Sequence, residues 1–93
     1  MNSILLYTCA CCGYKTKRTE YYGSYEVCPI CYWEDDQLQF EDPNMEGGAN
    51  PMSLRQAQKN FRECGACEMT MKQYVVKDRS QYELDKNWKP LDE

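Results

Sequence analysis

TCACCGY, residues 8–14, and VCPICYW, residues 27–33, decide how this chain folds. Each holds two cysteines with two residues between them: Cys9 and Cys12 in the first, Cys28 and Cys31 in the second. Fifteen residues lie between the pairs. Two CxxC pairs at that spacing in a short chain are the pattern of a four-thiolate metal site. Gly13 follows the first pair, where the turn of a metal knuckle calls for a positive φ and backbone N–H groups turned toward sulfur. Pro29 follows the first cysteine of the second pair. The expected ligands are therefore Cys9, Cys12, Cys28 and Cys31. Thiolates are soft donors, and a tetrahedron of sulfurs suits zinc or iron. Zinc is the expected ion, with iron as the alternative. Cys11 adjoins Cys12, so its side chain is expected to point away from the ion.

At 93 residues the chain has room for a single domain, 1–93, with a thin apolar core. A bound metal would act as its staple, because metal-binding free energy becomes folding free energy. The apolar run at residues 1–7 is too short for an export signal and lacks a basic start. No run approaches the roughly 20 apolar residues of a membrane span. Seven cysteines without an export signal point to a reducing compartment and metal, not to disulfides. The expectation is a cytoplasmic protein with no membrane partner.

Charge is unevenly spread. The formal net charge is −4, yet residues 32–53 hold six acidic groups and no basic one. Nucleic acid needs a basic face, so it is excluded as the expected partner. There is no histidine, and a catalytic zinc needs an open position with histidine or carboxylate ligands. A closed thiolate site is structural or, with iron, electron-transferring. No enzyme is expected.

Four segments follow from the pattern. Residues 1–33 are the metal-binding ribbon. Leu5, Tyr7 and Cys9 alternate as a strand does, and Gly23-Ser24 turns into a second expected strand at Tyr25–Cys28. Residues 34–52 read as a long acidic loop broken by Asp42-Pro43-Asn44 and Gly47-Gly48-Ala49-Asn50-Pro51. Residues 53–77 are the helical part. Ser53 and Gln56 form a capping box, Leu54, Ala57, Phe61 and Cys64 share one apolar face, and Gly65 ends the helix. Ala66 to Lys77 reads as a second short helix, with Met71, Tyr74 and Val75 inward and strand as the alternative. Residues 78–93 are a charged tail with Trp88 and Leu91 as anchors.

Two further motifs ask for a role. Cys64 and Cys67 form a third CxxC, but Cys64 lies on the apolar helix face, so core packing is its expected role. Trp33 stands beside Glu34, Asp35 and Asp36. An aromatic next to dense acid suits docking to a partner with a basic surface, and Trp33 has a second reading as a lid on the metal knuckle.

The stretch YTCACCGY…GSYEVCPICYW resembles the rubredoxin-like ribbon, in which an aromatic, CxxCGY and CPxC follow in order. Over most of the chain, CACCGY, GSYEVCPICYWEDD, EGGAN, SLRQAQKNF and GAC are similar to the bacterial cysteine-rich CPCC family. The resemblance implies a metal-binding protein of the bacterial cytoplasm and supplies no reaction. Ala10 stands where that family's name has proline, and Cys64 stands where an aromatic is expected before Gly-Ala. The expected fold is small α+β, a rubredoxin-like zinc-ribbon hairpin with a C-terminal helical part. The expected function is that of a zinc-stabilised protein-interaction module, in an accessory or immunity-type setting. The alternative is a rubredoxin-like iron protein that carries electrons.

Overall fold

Two short strands flank the first cysteine pair. Tyr7–Thr8 (β1) and Lys15–Lys17 (β2) run antiparallel, Tyr7 opposite Lys17 and Thr8 opposite Lys15. The computed structural model describes residues 5–92; residues 1–4 of the expected ribbon and Glu93 of the expected tail lie outside them. Between β1 and β2 the chain turns on Gly13, whose φ is +81°. Its amide donates to Cys9 O at 2.9 Å, and Cys9 N donates to Tyr14 O at 2.8 Å. The second pair repeats the scheme. Tyr32 N donates to Cys28 O at 2.8 Å, Cys28 N to Trp33 O at 2.9 Å, and Tyr32 has a φ of +71°. The two knuckles are thus the same turn made twice, with a tyrosine where the first has glycine.

The expected strand over Tyr25–Cys28 is not formed. It is reduced to a bridge between Val27 and Glu34 on either side of the second knuckle. Tyr25 takes a φ of +61°, outside strand geometry. The Glu26 carboxylate turns back to Arg18 N at 2.7 Å and Thr19 Oγ1 at 2.6 Å. Burial acts to raise that carboxyl, but the bonds from Thr19, Arg18 and Ser24 outweigh it and hold the group at about 2. The backbone still pairs across the second knuckle, Tyr25 N donating to Asp35 O and Asp35 N to Glu26 O at 2.9 Å, and the positive φ of Tyr25 keeps that pairing from extending into a strand.

Residues 34–52 are not an open acidic loop. Asp36 caps a short helix, Gln37–Glu41 (α1), by accepting from Leu38 N and Gln39 N. Its other oxygen accepts from Ala49 N at 2.8 Å, which pins the far end of the segment. Gln39 is fully buried. Its Nε2 reaches the carbonyls of Met45, Asn50 and Met52, and its Oε1 accepts from Asn50. A buried amide with every group paired holds this loop as a core would.

Leu54–Cys64 (α2) begins and ends where expected. Ser53 accepts from Gln56 N, and Gly65 closes the helix at φ +83°. Only half of the capping box forms, because the Gln56 side chain goes forward to Asn60. Leu54 and Ala57 are buried, whereas Phe61 and Cys64 are only half-buried. Gln58 is buried instead and donates to Ala10 O at 2.9 Å, fixing α2 to the first knuckle. After Gly65 the expected second helix is a 3₁₀ helix, Met69–Tyr74. Met71 and Val75 are half-buried, but Tyr74 is exposed with its ring against Tyr32. Cys67 N donates to Cys31 O and Val76 N to Pro29 O, so this part grips the second knuckle.

The tail is more than a charged end. Lys15 N donates to Glu83 O, Asp85 N to Gly13 O, and Thr8 Oγ1 to the Asp85 carboxylate. Trp88 serves as the expected anchor and lies against Gly13. Leu91 is held by its amide, which donates to Gln58 Oε1, more than by its side chain.

A Cβ at Gly13 would lie 2.3 Å from the Trp88 ring. Gly13→Ala is therefore expected to cost more than the ~1–2 kcal/mol of left-handed strain alone, about 3 kcal/mol with the ring displaced. Gly47→Ala supplies the control, because φ there is +78° and nothing lies within 4 Å of the added carbon. Thermal unfolding of the two variants separates strain from contact, and equal losses would mean that Trp88 gives way freely.

Candidate metal centre

The two knuckles bring four sulfurs together. The Sγ atoms of Cys9, Cys12, Cys28 and Cys31 all lie within 4.8 Å of one another, and all four residues are buried. Cys9 and Cys31 are 3.6 Å apart, Cys12 and Cys28 3.7 Å. Sulfurs at ~2.3 Å from a central ion form a tetrahedron with edges of about 3.8 Å. A disulfide would bring them to ~2.05 Å, and all seven cysteines are free. The spacing therefore fits one tetrahedral ion with four thiolate ligands, as the sequence led one to expect.

Ionisation points the same way. Hydrogen bonds from Cys12, then Cys31 and Cys9, hold the Cys28 thiol well below its usual range. Its neighbours move upward. Cys12 is raised chiefly by its bond to Cys28, Cys9 chiefly by its bond to Cys12, and Cys31 chiefly by burial. Four buried thiolates need a cation to balance them.

The remaining cysteines stay out of the set. Cys11 is buried in the core beside the knuckle but is not among the four sulfurs. The third CxxC resolves against expectation. Cys67, not Cys64, is the core member, and burial pushes its thiol up to about 12. Cys64 faces partly outward, with only a 3.6 Å contact to Ala66 O.

The expected docking residues are turned inward. Trp33 is 1% exposed, Asp35 3% and Asp36 5%, and Glu34 is half-buried. Trp33 lines a hollow of about 10 Å³ together with Cys9 and Cys28. Asp35 accepts from Lys17 Nζ at 2.5 Å, from Gly23 N and Ser24 N at 3.0 Å, and from Ser24 Oγ at 2.8 Å. Lys17 is equally buried and also donates to Tyr21 O. Asp35 thus ties β2 and the turn at residues 21–24 to the exit of the second knuckle.

Pattern reading overlooked Lys17, Gln39 and Asn50. For Asp36 a signal existed, since Asp36-x-x-Gln39 has the same capping spacing as Ser53-x-x-Gln56. For Lys17 there was none. Among the described residues no helix is long and apolar enough to cross a membrane.

The family model described as Cysteine-rich CPCC matches residues 7–82, which takes in both knuckles, the helical part and the first five residues of the tail. No curated protein matches the chain.

Proposed function

Because the chain belongs to the cysteine-rich CPCC family, we propose that it is a zinc-stabilised, non-enzymatic module that works by holding another protein. The observation that carries the metal is the convergence of four buried thiols at distances that suit one ion. Zinc is preferred to iron because a closed tetrathiolate zinc is a structural staple, and a domain of this size gains from one. Elemental analysis of native protein is expected to give one zinc per chain. A red protein with one iron would turn the reading to electron transfer. A metal-free protein, or disulfides among the four cysteines, would reject both.

With Trp33, Asp35 and Asp36 inside, the proposed docking surface rests on what stays outside. Glu41, Asp42 and Glu46 are exposed, and none forms an ion pair among the described residues. Leu38 and Phe40 lie on α1 in the same stretch, 58% and 38% exposed, with one face of the Phe40 ring stacked on Tyr22. Apolar contact beside unpaired acid suits a partner with a basic surface. An accessory or immunity-type protein of the bacterial cytoplasm is the proposed setting. Association with a partner isolated by pull-down should slow as salt rises, since exposed charges are screened beyond roughly 8 Å. Changing Glu41 to Gln and Asp42 to Asn together should slow it severalfold and leave the metal in place. Rates unmoved by both would remove the acidic surface from the proposal.

A further inference from the structure

Thr16 interrupts the pairing of β2. Tyr7 faces Lys17 and Thr8 faces Lys15, so Thr16 is the extra residue of a β-bulge. A bulge re-aims a side chain out of the alternation of its strand. Here it serves the opposite knuckle: Thr16 Oγ1 lies 3.2 Å from Cys28 Sγ. A metal-bound sulfur is a thiolate with no proton to give, so the hydroxyl is the donor. The Ile30 amide reaches the same sulfur at 3.4 Å.

The other three cluster sulfurs receive no bond from a hydroxyl or amide among the described residues. This asymmetry is pointed because the knuckles otherwise repeat. Thr16 lies four residues after Cys12. The residue four after Cys31 is Asp35, whose carboxylate is committed to Lys17, Gly23 and Ser24.

We propose that Thr16 is a positioning residue of the metal centre, its hydroxyl fixing the Cys28 sulfur through the β2 bulge and drawing charge from that one thiolate. The inference rests on the four-thiolate reading of the site. Four thiolates around a divalent ion leave a buried net charge, and a hydrogen bond to an ionised acceptor is about twice as strong as a neutral one. Partners one layer behind a ligand change metal affinity by roughly 10–100-fold.

The test uses the full chain, Thr16→Val and Thr16→Ser, each titrated with Co²⁺ against a chelator. The wild-type chain is expected to take one ion. Thr16→Val, equal in shape, is expected to bind about tenfold more weakly. Its sulfur-to-cobalt charge-transfer band should move to longer wavelength, because an unbonded thiolate holds its electrons less tightly. Thr16→Ser keeps the hydroxyl and is expected to restore both. If the valine chain does not fold, Thr16→Ala carries the same expectation. Valine-variant affinity within twofold of wild type overturns the inference. So does a loss of affinity with an unmoved band, or an equal loss in the serine variant, since either makes Thr16 a packing residue. A wild-type chain that takes no cobalt removes the metal centre itself, and the inference with it.

Discussion

Replacing Cys28 by Ser is expected to strip the metal and to unfold much of the chain. Structural zinc in small modules contributes on the order of 10 kcal/mol of apparent binding energy. Cys28 joins the second knuckle to the first through its 3.7 Å approach to Cys12 and its bond from Thr16. A hydroxyl in its place is a poor, hard donor, so a loss of several kcal/mol should follow. Cys64→Ser should cost under about 1 kcal/mol, since that side chain is half-exposed and makes one weak contact. Cys67→Ser should fall between, because a hydroxyl would enter the core where burial already disfavours a thiolate. Thermal unfolding with metal content measured on each variant decides the order. A Cys64 loss as large as that of Cys28 would mean that the third pair supplies a ligand.

Asp35→Asn is expected to be among the costliest changes outside the four cysteines, about 3 kcal/mol. The substitution keeps the shape and removes the charge opposite Lys17, whose ammonium is as buried as its partner. Breaking a buried pair leaves one charge uncompensated, which is worse than having neither. The double change Lys17→Met with Asp35→Asn should therefore recover much of the loss, since the amide oxygen can still accept from Gly23 and Ser24. Urea unfolding of the metal-loaded proteins reads both numbers. A single variant within 1 kcal/mol of wild type would return Asp35 to the solvent, where the acidic-run reading had placed it.

That contrast marks what the sequence can carry. The four-cysteine cluster was legible because knuckle chemistry is local: two residues between cysteines and a glycine after the first pair set the turn. The bounds of α2 were legible for the same reason, in Ser53 and Gly65. Asp35 was misread because a run of acid counts charges, whereas burial depends on a lysine eighteen positions away on β2. Gln39 and Asn50 were invisible because polar residues at a loop centre look solvated until their carbonyl partners are assembled around them. Tyr25–Cys28 failed as a strand because the positive φ of Tyr25 breaks the extended run, which no local pattern announced.

The tail's grip on the first knuckle spans nearly the whole chain, with Thr8 and Asp85 separated by 77 positions. Closing so long a loop from an open coil costs about 4 kcal/mol of chain entropy and is slow. The four clustered cysteines, by contrast, are all present once residue 31 has been made. A growing chain therefore owns every sulfur it needs while two thirds of its length is still unmade. The chain order thus allows the knuckles to form before the tail exists, and Trp88 reaches Gly13 only when synthesis is nearly complete.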